Sequence, residues 1–198
     1  MPLQILVIAG SEREGSLNQR FARFAAARAG EQGHLPAVFS LRGLELPLYD
    51  GDLEHASGVP QAVAQLQRAI HASDALLIVT PEYNGFPTPL VVNAFDWLSR
   101  LPLTDHMPSG LGVTANKPVA LLSASPGAGG AMRSMNFLRQ FLQMAFAMLV
   151  VPQQFALGRA HEAFDDAGAL ADAKATAAVD DVIASLSNIA QALRTSKV

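Results

Sequence analysis

The chain has 198 residues, 50% of them hydrophobic and 16% charged. That balance excludes a disordered chain and supplies material for one sizeable core. Fourteen Lys and Arg against seventeen Asp and Glu leave a net charge of −3, too little basic character to grip nucleic acid or an anionic membrane surface; with no cysteine, disulfides, thiol nucleophiles, iron–sulfur clusters and thiolate zinc sites are also excluded.

Residues 3–9 (LQILVIA) form a short apolar run that ends at Gly10 and Ser11. The run lacks a basic flank and falls far below the ~18 residues of a membrane span, so it reads as a buried first strand. No targeting or spanning segment is expected, and a cytoplasmic location follows by default. Residues 17–29 set Leu17, Phe21, Phe24 and Ala25 at helical spacing, and Gly30 and Gly33 stop that helix. Residues 37–41 read as a second strand and residues 47–51 as a loop. Val63, Leu66, Gln67 and Ile70 give residues 59–71 helical spacing, and residues 75–80 (ALLIVT) are a buried strand stopped by Pro81.

A helix over 90–101, a loop rich in Pro and Gly over 102–116, and a buried strand over 118–124 follow. Residues 131–149 predict a long helix, Val150 and Val151 the remnant of a last strand, and residues 169–193 a final helix with one apolar stripe. Strands apolar on both faces, alternating with helices, predict a parallel sheet covered on both sides. The expected fold is a single doubly wound α/β domain over residues 1–198, five-stranded, of flavodoxin-like order 2-1-3-4-5. An eight-stranded barrel needs ~250 residues.

In such a sheet ligands bind beyond the carboxyl ends of the strands, near the point where strand order reverses. The loops after the first, third and fourth strands therefore matter most. In the first, Ser11, Ser16 and Asn18 offer side-chain donors and Arg13 a positive fork. The helix that starts at Leu17 adds free N–H groups and its positive dipole end, so a dianionic phosphate fits. The plainer reading makes Ser16 a helix N-cap, with Glu12, Arg13 and Glu14 merely solvated. Gly10 and Gly15 have the spacing of a triphosphate-binding loop, but Ser16 stands where its lysine belongs. No G-x-G-x-x-G follows the first strand, so a mononucleotide phosphate fits better than a triphosphate or a dinucleotide.

The second loop, residues 80–89, holds Pro81, Glu82, Tyr83, Asn84 and Gly85 between prolines that fix its shape. A rigid loop with exposed N–H groups and an aromatic residue suits a planar heterocycle, although Tyr83 and Phe86 also read as ordinary loop anchors. In the third loop, Ser125, Pro126, Gly127 and Gly130 either bring backbone close to something flat or let two segments touch. The histidines at 34, 55, 71, 106 and 161 show no ligand spacing, so no metal site is expected. The nucleophile pattern G-x-S-x-G of many serine hydrolases is missing.

Taken together, G-S-x-R-x-G-S-x-N (Gly10 to Asn18), P-E-Y-N (Pro81 to Asn84) and N-A-x-D-W-x-S (Asn93 to Ser99) resemble the NADPH-dependent FMN reductase family. That family includes enzymes that reduce quinones, chromate and azo compounds. The stretch 123–152, opening S-x-S-P-G-x-G-G and ending V-V-P, is similar too, and the resemblance covers residues 1–152 and, loosely, the last helix. It implies a bound FMN with its phosphate on Ser11, Arg13, Ser16 and Asn18 and on the helix start at Leu17. The ring is then expected against Pro81, Glu82, Tyr83, Asn84 and Gly85, with Ser125, Pro126, Gly127 and Gly130 along its other side.

NADPH, or NADH, is the implied co-substrate, and a quinone, free flavin, azo compound or chromate-like oxyanion the small-molecule acceptor. The chemistry belongs to the cofactors, which leaves Glu82 a positional role and no catalytic side chain. Family members often carry Ser where this chain has Phe86, and Lys where it has Val92, so the acceptor side differs. A non-enzymatic flavodoxin-like electron carrier is the alternative, against which Arg13 and the small net charge speak. Partners of nucleic-acid or membrane type are not expected. A homodimer or dimer of dimers is, because the helix over 90–101 points Leu90, Val91, Val92, Phe95, Trp97 and Leu98 in several directions. On that reading Trp97, or the Val91 and Leu98 side, faces water unless another chain covers it, and the wide apolar face of the helix over 131–149 joins the contact.

Overall fold

Five apolar runs pair into one all-parallel sheet in the computed structural model, which describes residues 1–11 and 13–195. The strands are β1 (Gln4–Ala9), β2 (Leu35–Phe39), β3 (Ala75–Val79), β4 (Pro118–Ala124) and β5 (Leu149–Leu157), in the expected order β2-β1-β3-β4-β5. The helices are α1 (Leu17–Glu31), α2 (Gly51–Ser57), α3 (Val63–Ala72), α4 (Pro89–Ser99), α5 (Gly110–Thr114), α6 (Met132–Phe146) and α7 (Ala173–Thr195). Every residue of β3 and β4 is buried, as central parallel strands require. Val7, Leu77 and Leu122 pack under α1 and α7 on one face. Ile8, Ile78 and Leu121 pack under α3, α4 and α6 on the other.

β5 is nine residues long where two were expected. Its pairing with β4 shifts register between Val119, opposite Val150, and Leu121, opposite Gln154. Pro152 lies in the inserted stretch, where a residue without an N–H is tolerated. Arg139 of α6 serves the irregularity: its guanidinium donates to the Val151 carbonyl at 2.8 Å and to Gln154 Oε1 at 2.7 Å. Burial pushes the pKa of Arg139 down.

Residues 47–57, expected to begin as a loop, form a strap across α4 that contains α2. Asp50 caps α2, its Oδ1 accepting from Asp52 N–H at 2.7 Å and Leu53 N–H at 3.3 Å. Trp97 Nε1 donates to the Pro47 carbonyl at 2.8 Å, and its ring meets Tyr49 edge-on with centroids 5.0 Å apart. Asn93 clasps the strap twice, accepting from Tyr49 N–H at 2.7 Å and donating to the Pro47 carbonyl at 2.8 Å. The strap covers Trp97, while Val91 packs toward Gly10 and Leu98 lies where Gly110 approaches α4, so all three are completely buried within one chain. The expectation that Trp97, or the Val91 and Leu98 side, faces water is corrected, because the same chain covers both sides. The expected loop over 102–116 likewise contains α5, whose Gly110 lies so close to α4 that a Cβ there would fall 1.6 Å from the Leu98 carbonyl oxygen.

Candidate active site

The carboxyl ends of β1, β3 and β4 lie side by side, and the sheet order reverses between β1 and β3. The loop after β1 begins at Gly10, whose N–H donates to the Val79 carbonyl at 2.7 Å. A Cβ at Gly10 would sit 2.4 Å from Thr80 Oγ1 and 2.9 Å from Val91 Cγ2, so only glycine lets the two strand ends converge. Thr88 Oγ1 donates to the Gly10 carbonyl at 2.7 Å, which stitches the first loop to the second.

Ser11 and Ser16 are buried and Arg13 is exposed, its Nη1 3.4 Å from the Glu14 carbonyl. Glu12, read as solvated, lies outside the described residues. Ser16 does cap α1, accepting from Gln19 N–H at 3.3 Å, and a hydroxyl that accepts still has its own hydrogen to donate. No acidic side chain occupies the first turn of α1, and the N–H groups of Leu17 and Asn18 have no acceptor within the helix.

Asn18, expected to donate to a phosphate, anchors the first loop to β4 in the structure. Its side chain is buried and exchanges two hydrogen bonds with the backbone of Ala124, Nδ2 donating at 2.8 Å and Oδ1 accepting at 3.0 Å. β3 turns away at Pro81 just after Thr80 N–H reaches the Leu122 carbonyl. The next pair of β4 backbone groups would face nothing, and Asn18 replaces the missing strand residue.

The second loop is a hairpin rather than only a proline-stiffened loop. Tyr83 and Phe86 exchange backbone bonds of 2.9 and 3.1 Å. Between them Asn84 and Gly85 take φ of 55° and 85°, the two positive values of a type I′ turn. The Asn-Gly dipeptide was the available signal. The first two turns of α6 grip this hairpin, which the sequence reading missed. Arg133 forms an ion pair with Glu82, Ser134 Oγ donates to the Pro81 carbonyl at 3.1 Å, and Phe137 stacks on Phe86. The hydrogen bond to Glu82 raises the Arg133 pKa. Glu82 therefore has a positional partner.

In the third loop Ser125 N–H donates to the Leu157 carbonyl at 3.1 Å and Ser125 Oγ accepts from Gly127 N–H at 3.2 Å. Gly130, at φ 59°, serves a contact between segments: a Cβ there would lie 2.7 Å from the Ala156 backbone carbon. Ser123 Oγ donates to the Gly130 carbonyl. Pro126 and Gly127 are exposed.

The family model for NADPH-dependent FMN reductase matches residues 3–162, a span that contains all three loops. The chain belongs to this family. A quinone reductase of Escherichia coli K12 is 37% identical over 153 residues, covering 77% of this chain and 76% of that protein. An NAD(P)H-dependent FMN reductase of Pseudomonas aeruginosa is 35% identical over 176 residues, 87% of each chain. Among solved structures, a flavoenzyme NAD(P)H:(acceptor) oxidoreductase from Paracoccus denitrificans superposes with a TM-score of 0.76 at 26% identity, covering 96% of this chain and 97% of that one.

As a family member the protein is an oxidoreductase that works with FMN and NAD(P)H. The donor set after β1 suits such a cofactor. Hydroxyls, a guanidinium and a helix N-terminus free of acidic side chains are what a phosphate dianion needs.

Proposed function

We propose that this FMN reductase family enzyme passes electrons from NADPH or NADH to a quinone, with free flavin, azo compounds and chromate-like oxyanions as lesser acceptors. Support for quinone comes from the relatives named quinone reductase. The observation that carries the proposed site is the convergence of the α1 N-terminus, the hairpin over 83–86 and the loop over 125–130 at one edge of the sheet. When bound, FMN supplies hydride acceptance and electron transfer.

The chain's residues hold and orient that group. Ser11, Ser16, Arg13 and the N–H groups of Leu17 and Asn18 bind the phosphate. Gly10, Thr88 and the Asn18 side chain fix the loop that presents them. Pro81, Glu82, Tyr83, Asn84 and Gly85 set the plane of the ring, and Ser125, Pro126, Gly127 and Gly130 close the other side. The same reading places the enzyme in the cytoplasm, where reduced pyridine nucleotides are regenerated. Among the described residues no helix is long and apolar enough to cross a membrane.

A homodimer or dimer of dimers belongs to the same proposal. With the apolar sides of α4 covered within its own chain, apolar surface for it remains at Met144 in the last turns of α6, 82% exposed. Initial rates of NADPH oxidation at several fixed naphthoquinone concentrations test the enzyme reading. Parallel double-reciprocal lines are expected if donor and acceptor use one face in turn. An FMN-loaded protein that oxidises neither NADPH nor NADH with any acceptor would overturn it.

A further inference from the structure

Phe86 and Phe137 meet outside the core. Their ring centroids lie 4.8 Å apart at 35°, yet the residues remain 55% and 47% exposed. Aromatic rings bury large apolar areas when they can, so a half-open pair on the hairpin leaves a π surface ready for another ring. The backbone beneath both rings is fixed. Phe86 closes the hairpin through two backbone bonds with Tyr83. Phe137 follows Ser134 by one turn, and Ser134 and Arg133 fix the same hairpin through Pro81 and Glu82. Little backbone freedom remains to be lost when a ligand stacks there.

The Arg133 guanidinium completes the patch, its Cζ 3.5 Å from where a Gly85 Cβ would lie. We propose that Phe86 and Phe137 are specificity-determining residues that form an acceptor platform, selecting planar aromatic acceptors of the quinone class over compact inorganic ions. The inference rests on the function proposed above. The reaction selected for is NAD(P)H + H⁺ + quinone giving NAD(P)⁺ + hydroquinone. A hydride, two electrons and one proton, leaves the nicotinamide, and the H⁺ taken up from solvent is the second proton of the hydroquinone.

The test compares FMN-loaded wild type with Phe86→Ser and Phe137→Leu, using 1,4-naphthoquinone and ferricyanide as acceptors and circular dichroism to confirm folding. The ratio of naphthoquinone to ferricyanide kcat/KM is expected to fall about three- to tenfold in each variant, the scale of one lost aromatic contact. Calorimetric binding of the unreactive planar analogue 1-naphthol to the holoenzyme should weaken by a similar factor. An unchanged ratio with unchanged naphthol binding overturns the platform. So does a fall accompanied by a lower light-scattering mass, which would make the pair a contact between copies of the chain. A wild type inert toward both acceptors is a different result, since it removes the parent function itself.

Discussion

Asn18 and Ala124, 106 positions apart in sequence, exchange hydrogen bonds through both polar atoms of the asparagine side chain. The pair ties the phosphate-side loop to the end of a central strand. Asn18→Leu should therefore strand a buried N–H and C=O of Ala124 and cost about 2–4 kcal/mol. Urea unfolding measures it, and an unchanged midpoint at unchanged slope would contradict the role.

Arg13→Ala keeps the fold, since the side chain is exposed, but removes a charge-assisted bond to the proposed phosphate. FMN should bind roughly ten- to a hundredfold more weakly, as expected for a hydrogen bond to a charged group. Riboflavin, which has no phosphate, should bind mutant and parent alike. Equal FMN affinity in fluorescence titration would take Arg13 out of the site.

Gly10→Ala forces a methyl group to within 2.4 Å of Thr80 Oγ1 and 2.9 Å of Val91 Cγ2. Overpacking of this kind costs about 1–3 kcal/mol. The strain falls where the first and second loops are stitched together, so FMN retention on gel filtration should drop along with the melting temperature. A variant that melts lower yet keeps its full FMN complement would separate the two effects and refute the coupling.

Asp180 bonds Arg28 with both oxygens, at 2.9 and 2.6 Å, across α1 and α7. That hydrogen bond, aided by the guanidinium charge and by Gln32, holds the carboxyl pKa below its ordinary value despite burial. A group whose folded pKa is depressed contributes fully above its unfolded value of about 3.9 and loses that contribution as pH falls through the folded value. Thermal unfolding from pH 6 to pH 2 should show a shallower acid-side decline in Asp180→Asn than in the parent. Parallel declines would mean that the pair contributes nothing.

The strand order and the site loops were legible because their signals are local. Apolar runs such as residues 75–79 have one stable placement, and Gly10, Ser16 and Gly85 mark turns by their chemistry. What escaped depends on contacts distant in sequence. Nothing near Asn18 announces that β3 will stop short of Ala124, so its amide reads as a free donor. The hydrophobicity of Val91, Trp97 and Leu98 shows that they need cover, but whether the rest of this chain or a second chain provides it is a tertiary matter. Phe137 read as part of the wide apolar face of the 131–149 helix, and nothing near Arg133 or Ser134 announces the hairpin that they hold. Pro152 and two glutamines interrupt the apolar pattern of β5 beyond Val151, and Arg139 makes that interruption tolerable.

The strap over α4 gives the protein a spectroscopic handle. The chain has a single tryptophan, and it is fully buried with its indole N–H bonded to Pro47 and its ring against Tyr49. Its emission should be blue-shifted in the folded protein and move to the red when residues 47–57 lift away, even while the sheet stays intact. Flavin absorbance follows the cofactor loops and tryptophan emission follows the strap. One sample can then show whether the two ends of α4 loosen together or in sequence.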